Sequence, residues 1–160
     1  LSVSKSMTLS FGILGVSAAD LLSELQRLSF AGQLEQVWTA DQFRLLLRGG
    51  GVAALVACEQ ERPVGFILSR RVAGEVEILS VCVLPQYRKR GVGRQILDEL
   101  HRSVDGSDVT ALCLGVREDN RAAIALYQSH GFRVVGRRKN YYGAPGREKK
   151  DALVMKKMVG

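Results

Sequence analysis

The chain has 160 residues, a one-domain length, and its 46% hydrophobic content places it among globular proteins rather than disordered chains. The net charge of +7 is uneven: residues 1–61 hold 4 Lys/Arg against 6 Asp/Glu, while residues 62–160 hold 19 against 10. The positive field therefore belongs to the second half, where it favours an anionic ligand; no apolar run approaches the roughly 20 residues of a membrane span, and no charged-then-apolar leader opens the chain.

Residues 1–7 are read as a processing remnant, and a single domain is expected over 8–160. Thr8–Leu14 alternates as a first strand. Ser17-Ala18-Ala19-Asp20 resembles a capping box, after which Leu21, Leu25 and Leu28 repeat at helical spacing. Thr39-Ala40-Asp41-Gln42 is a second capping box, opening a short helix that stops at Gly49-Gly50-Gly51. Val52–Cys58 and Val64–Arg71 form a hairpin around the Glu61-Arg62-Pro63 turn. Glu75–Leu84 is a fourth strand, ended by Pro85, which cannot donate to a ladder.

A basic loop over Gln86–Gly93 leads into a helix with Val92, Ile96 and Leu100 on one stripe and Leu97 beside it. Val109–Val116 is a fifth strand. Asn120 starts a helix in which Ala123, Leu126, Tyr127 and His130 share a face, and Gly131 caps its end. Phe132–Arg137 is a sixth strand, Asn140–Lys150 a polar loop, and Ala152–Met158 a last strand. The order β-α-α-β-β-β-α-β-α-β-β makes one α/β (α+β) layer domain around a central sheet. Cys58, Cys82 and Cys113 lack CxxC spacing and each sits in an apolar run, so they read as buried thiols of a reducing, cytoplasmic compartment. His101 and His130 are too few for a histidine-rich zinc centre, and no metal is expected.

The strongest chemical signal is Val81-Cys82-Val83-Leu84-Pro85-Gln86-Tyr87-Arg88-Lys89-Arg90-Gly91-Val92-Gly93-Arg94, which runs strand, tight loop, helix. The first turn of a helix carries unpaired N–H groups and a positive dipole end, and both favour an anion. Gly91 and Gly93 let the backbone approach a ligand, and Arg88, Lys89, Arg90 and Arg94 surround it with charge. GxxxxGK[ST] is absent, so this is not a nucleotide P-loop, and no third glycine completes GxGxxG. The bland alternative is a basic surface turn.

Arg88-x-x-Gly91-x-Gly93 resembles the acyl-CoA loop of the GNAT superfamily of N-acetyltransferases. Asn120-Arg121-Ala122-Ala123-Ile124-Ala125-Leu126-Tyr127, then Gly131-Phe132, is similar to that superfamily's second block. Glu77–Val83, Arg138-Lys139-Asn140-Tyr141-Tyr142 and Asp151–Met155 are similar to the bacterial ribosomal-protein alanine N-acetyltransferases within it. The resemblance implies a GNAT fold: a mostly antiparallel sheet of about seven strands, splayed between strands 4 and 5 and flanked by four helices. It implies acetyl-CoA as acetyl donor and a protein N-terminus, that of an Ala-initiated small-subunit ribosomal protein, as acceptor. Lysine and small-molecule amines remain alternatives, as does a module that binds the donor without catalysis.

Residue by residue, the resemblance lays the donor's pantetheine along the backbone of Val81, Cys82 and Val83. It puts the pyrophosphate on the amides of Arg88, Lys89, Arg90, Gly91, Val92, Gly93 and Arg94. Asn120 either reaches the donor or simply caps its helix. Tyr127 either protonates the leaving thiolate or fills the core. Tyr141 and Tyr142 either line the peptide side of the cleft or anchor a loop.

One departure stands out. Where these relatives place a glutamate base, this chain reads Leu114-Gly115-Val116. Glu77, working through a water, is the candidate replacement, and Glu118 a second; the alternative for Glu77 is an exposed strand carboxylate. A base can also be dispensable: an α-amine of pKa about 8 is partly neutral at pH 7, whereas a lysine at about 10.4 is not. The basic run Arg137–Lys139 either attracts acidic acceptor residues or is a solvated face. Direct nucleic-acid binding is disfavoured, because the second half has few aromatics to stack bases.

Overall fold

A computed structural model describes residues 7–30, 37–143, 146 and 148–160. Seven strands form one sheet in the order β1-β2-β3-β4-β5-β7-β6, with β1 Ser10–Leu14, β2 Val52–Glu59, β3 Arg62–Val72, β4 Glu75–Val83, β5 Ala111–Arg117, β6 Arg133–Tyr142 and β7 Lys150–Met158. Every pairing is antiparallel except β4 with β5. Four helices flank it: α1 Ala19–Ser29, α2 Ala40–Arg48, α3 Val92–Val104 and α4 Arg121–Ser129. The expected element order and strand count hold.

The two faces of the sheet follow from adjacent residues of β3. Phe66 packs edge-on to Phe43 of α2 with centroids 6.0 Å apart, while a Cβ on Gly65 would lie 3.3 Å from Ile96 of α3. Neighbouring strand positions point to opposite faces, so α2 and α3 cover opposite sides. Gln26 of α1 bonds Ser80, whose register partner Leu68 shares the Phe66 face, so α1 lies with α2. On the other side α4 joins α3: Leu126 approaches Gly93, and His130 Nε2 meets Asp98 Oδ1 at 3.1 Å.

Several local expectations change. The Thr39 capping box is complete, with Thr39 and Gln42 exchanging side-chain and backbone bonds. The Ser17 box does not form. The chain enters α1 through a 3-10 turn over Val16–Ala18, and the Ala18 N–H is satisfied by the Gly15 carbonyl instead. Met7, expected to belong to a processing remnant, is instead buried in the core, and its carbonyl accepts from Gln95 Nε2 at 2.9 Å. Residues 1–6 lie outside the described residues. Of the three cysteines only Cys82 is fully buried; Cys58 and Cys113 are half-buried, and none is in a disulfide.

The sixth strand runs to Tyr142, five residues beyond the expected end. Its register against β7 slips between Arg138 and Tyr142, and the slip is held by Asp151, whose Oδ1 accepts the Asn140 N–H at 2.9 Å. The last strand likewise begins at Lys150 rather than Ala152.

Candidate active site

The sheet forks. β4 pairs with β5 only from Glu75↔Ala111 to Ile78↔Leu114, although β4 stays paired to β3 as far as Val83. Beyond Ile78 the β5-facing edge of β4 therefore has no strand partner. A strand edge presents backbone N–H and C=O groups in a row, ready to pair with an extended molecule. The fork opens a cleft of about 680 Å³.

At the cleft's far end, β4 runs through a 3-10 turn, Pro85–Tyr87, into the N-terminus of α3. Gly91 is the N-cap, at φ 81° and ψ 8°, and no side chain caps the helix. The left-handed conformation is what requires glycine here; a Cβ would meet no atom within 4 Å. Gly93 answers a different constraint: its Cβ would come 3.1 Å from Leu126 Cδ2, so this glycine lets α3 close on α4. The first-turn amides of α3 thus stand at the cleft with the positive helix end behind them.

The four basic residues of the loop separate. Lys89 and Arg94 line the cleft. Arg88 also borders it, but its guanidinium turns inward to the Val83 carbonyl at 3.3 Å and the Ser29 carbonyl, tying the end of α1 to the end of β4. Arg90 lies over the Tyr87 ring, 5.5 Å from its centroid, and is not part of the cleft wall. Val81 and Val83 line the cleft. The buried Cys82 does not: its Sγ lies 3.5 Å from Ser80 Oγ.

Across the fork, Asn120 accepts the Ala123 N–H at 3.2 Å, so the capping role is real, and the same residue borders the cleft. Tyr127, on the inner face of α4, is 8% exposed, lines the cleft and packs edge-on to Phe132 at 5.8 Å. Gly131, at φ 89°, ends the helix and lets the Phe132 N–H return to the Tyr127 carbonyl at 3.1 Å, which fixes that ring pair.

Tyr141 and Tyr142 stand edge-on to each other at 5.1 Å and close the near end of the cleft, with Arg138 over the Tyr141 ring. Asp151 sets their position. Besides the Asn140 bond, its Oδ2 is 3.0 Å from Arg137 Nη1, which also binds Glu118; its carbonyl accepts the Glu118 N–H at 3.0 Å. The Asn140 N–H, and then the Arg137 guanidinium, hold the Asp151 carboxyl below the usual carboxylate range. Arg137 is thus engaged in this clamp.

Glu77 is not brought to the cleft. It sits in the closed part of the β4–β5 ladder, opposite Cys113, and its Oε2 is 2.7 Å from Arg70 Nη2. Both border a separate depression of about 340 Å³ with Glu75 and Thr110. Glu118 is likewise outside the cleft wall, bound to Arg137. Gly115 does border the cleft; it is exposed, and a Cβ there would meet nothing within 4 Å.

Sequence reasoning missed the other wall. Gln26, Phe30 and Trp38 line it from α1 and the segment after it, and Arg117 lines it from β5. Gln26 is 1% exposed and bridges two elements, donating to Ser80 Oγ at 3.2 Å and accepting the Trp38 N–H at 2.6 Å. A glutamine inside an apolar helical stripe was the available signal, because a buried amide demands partners. Among the described residues no group of three His, Cys, Asp or Glu could hold a metal ion, and no helix is long and apolar enough to cross a membrane.

A mixed sheet forked beside its single parallel pairing, with a helix N-terminus at one end and a buried tyrosine across the gap, defines an acyltransferase architecture. The chain belongs to the acetyltransferase (GNAT) family, whose model matches residues 19–132. It is similar to the [ribosomal protein bS18]-alanine N-acetyltransferase of Salmonella typhimurium, with 38% identity over 96 residues, 59% of this chain and 64% of that protein. It is also similar to the N-alpha-acetyltransferase RimI of Mycobacterium tuberculosis, with 41% identity over 93 residues, 58% of this chain and 55% of that protein. The chain thus spans less than two thirds of the length of these curated relatives. The crystal structure of the ribosomal-protein-S18-alanine N-acetyltransferase from Escherichia coli superposes with a TM-score of 0.85 at 25% identity, covering 96% of this chain and 95% of that one.

Proposed function

We propose that the chain is an acetyl-CoA-dependent N-acetyltransferase acting on the N-terminal α-amine of a protein, with an Ala-initiated small-subunit ribosomal protein as the acceptor that its relatives' names suggest. The observation that carries this reading is the fork: one cleft joins the unpaired edge of β4, the open amides of α3 and the Tyr127 ring. An extended, phosphorylated thioester fits such a cradle. The edge beyond Ile78 supplies a partner for its amide-bearing arm, and the α3 amides with Lys89 and Arg94 take its phosphates. Asn120 borders the same path.

Bound acetyl-CoA supplies the activated acyl carbon. The protein supplies orientation and charge: main-chain N–H groups near Val81 and Cys82 receive charge building on the carbonyl oxygen, and the Tyr127 hydroxyl serves the departing sulfur. Trp38, Gln26, Tyr141 and Tyr142 wall the acceptor side. Incubation with labelled acetyl-CoA and an Ala-initiated peptide tests the reading; transfer above the uncatalysed rate is expected. Tight donor binding with no transfer to any amine would favour the second reading, a binding module, for which Gly115 is the supporting observation.

The clamp on the tyrosine pair has its own signature. Asp151→Asn keeps the shape and removes the charge, so the KM for a peptide acceptor is expected to rise several-fold with kcat little changed. The carboxylate is held low in the fold, so its contribution to stability is present above its unfolded value near about 3.9 and lost as pH falls through the lower folded value. Denaturant titrations on either side of about pH 4 should show part of that acid sensitivity disappear in the variant.

A further inference from the structure

Trp38 is the single tryptophan of the chain, and it stands one residue before the Thr39 cap of α2. A large apolar residue at that position staples to the fourth residue of the helix. Here that residue is Phe43: the two rings meet edge-on with centroids 5.4 Å apart, and Phe43 is itself fully buried against Phe66. The Trp38 ring is thereby seated on the core, yet Trp38 stays half-buried and borders the cleft.

Its main chain is held as firmly as its ring. Ser23 and Gln26 lie three residues apart on α1, so they share one side of the helix. Ser23 Oγ donates to the Trp38 carbonyl at 3.0 Å, and Gln26 Oε1 accepts the Trp38 N–H at 2.6 Å. An N–H can only donate, so that bond fixes which way the Gln26 amide faces. Its Nε2 then meets Ser80 Oγ, 3.2 Å away on β4, two residues beyond the last position paired with β5. Gln26 therefore spans the distance between Trp38 and the unpaired edge.

Resting on the transferase reading, we infer that Trp38 is a preformed platform for the acceptor peptide, and that Gln26 is the positioning residue that sets its distance from the fork. The α3 amides and Tyr127, assigned to the donor, come from the opposite face of the sheet; Trp38 comes from the α1–α2 side and meets what enters there. A ring already immobilised by a staple and two hydrogen bonds loses little freedom when a chain settles on it, and its face offers apolar contact.

Because no second tryptophan exists, intrinsic emission reports on Trp38 alone. Adding an Ala-initiated peptide to the protein loaded with coenzyme A, which has no acetyl group to transfer, is expected to change that emission. No change, with transfer from acetyl-CoA still running, overturns the inference and leaves the transferase reading intact; no transfer with acetyl-CoA bound overturns that reading itself. Gln26→Met is expected to move the emission to longer wavelength, raise the peptide KM about tenfold and leave the acetyl-CoA Kd within about twofold. Ser23→Ala, a milder change at a residue with no bond to β4 among the described residues, is expected to raise KM about threefold in the same direction. A Gln26→Met protein with weakened acetyl-CoA binding and an unaltered peptide KM would mean that Gln26 acts through β4 instead. In a Trp38→Leu protein, Gln26→Met should add less than about a further twofold; a full extra loss there would show a role apart from Trp38.

Discussion

Tyr127→Phe is expected to lower kcat about 100-fold or more while leaving acetyl-CoA affinity nearly unchanged. The ring stays. It is the ring that packs edge-on to Phe132 and fills the inner face of α4, so the variant folds and keeps the cleft wall. On the proposed mechanism it loses the hydroxyl that serves a sulfur gaining charge only as the carbon–sulfur bond breaks. A group that acts only then changes turnover and not ground-state binding. Steady-state kinetics with calorimetry on the donor separate the two. A kcat within about threefold of the unaltered protein would remove the hydroxyl from the mechanism and leave Tyr127 as core packing.

The largest loss of stability is expected from Gly65→Ala. A Cβ at this position would stand 2.4 Å from the Cys82 carbonyl oxygen, a backbone atom that cannot rotate away, and 3.3 Å from Ile96. β3 and β4 would have to part at the far end of β4's unpaired edge, or α3 would have to lift. Overpacking a close-packed interior costs about 1–3 kcal/mol, and contact with main chain puts this case at or above the upper end. For a chain of this size that corresponds to roughly 6–12 °C in Tm. Thermal unfolding followed by circular dichroism checks it; a fall of less than about 2 °C would mean that the strands part freely there. Donor affinity should fall alongside, since on the proposed reading the other edge of the same strand forms the cradle.

Much of the fold was legible because its signals are local. The helix stripe of Val92, Ile96 and Leu100, the Thr39 box and Pro85 each describe their own neighbourhood, and each is where expected. The far end of β6 was not legible. Arg138-Lys139-Asn140-Tyr141-Tyr142 has no alternation, and it is extended because a carboxylate ten residues or more away fastens it. The Ser17 box failed for the opposite reason: a local 3-10 turn satisfied the amides first. In the site, residues acting through backbone conformation were found, but side-chain direction was not. A run of cations predicts charge near the helix end, yet Arg88 and Arg90 spend theirs on carbonyls and a tyrosine ring. Glu77 lies below the fork, a boundary that only the β4–β5 register reveals. Gly65 carried a usable hint, since glycine within a strand often marks close backbone approach.

The fork has a consequence for how this protein could diversify. On the proposed mode of binding, contacts made by the peptide backbone are blind to the genetic text along β4, so a residue such as the buried Cys82 can answer to the interior while the donor is read from atoms that every residue shares. The opposite bank, built from Trp38, Gln26, Arg117 and the tyrosine pair, is written in side chains and is open to revision. A scaffold divided this way can change its clientele by mutation on one bank without relearning its common currency on the other.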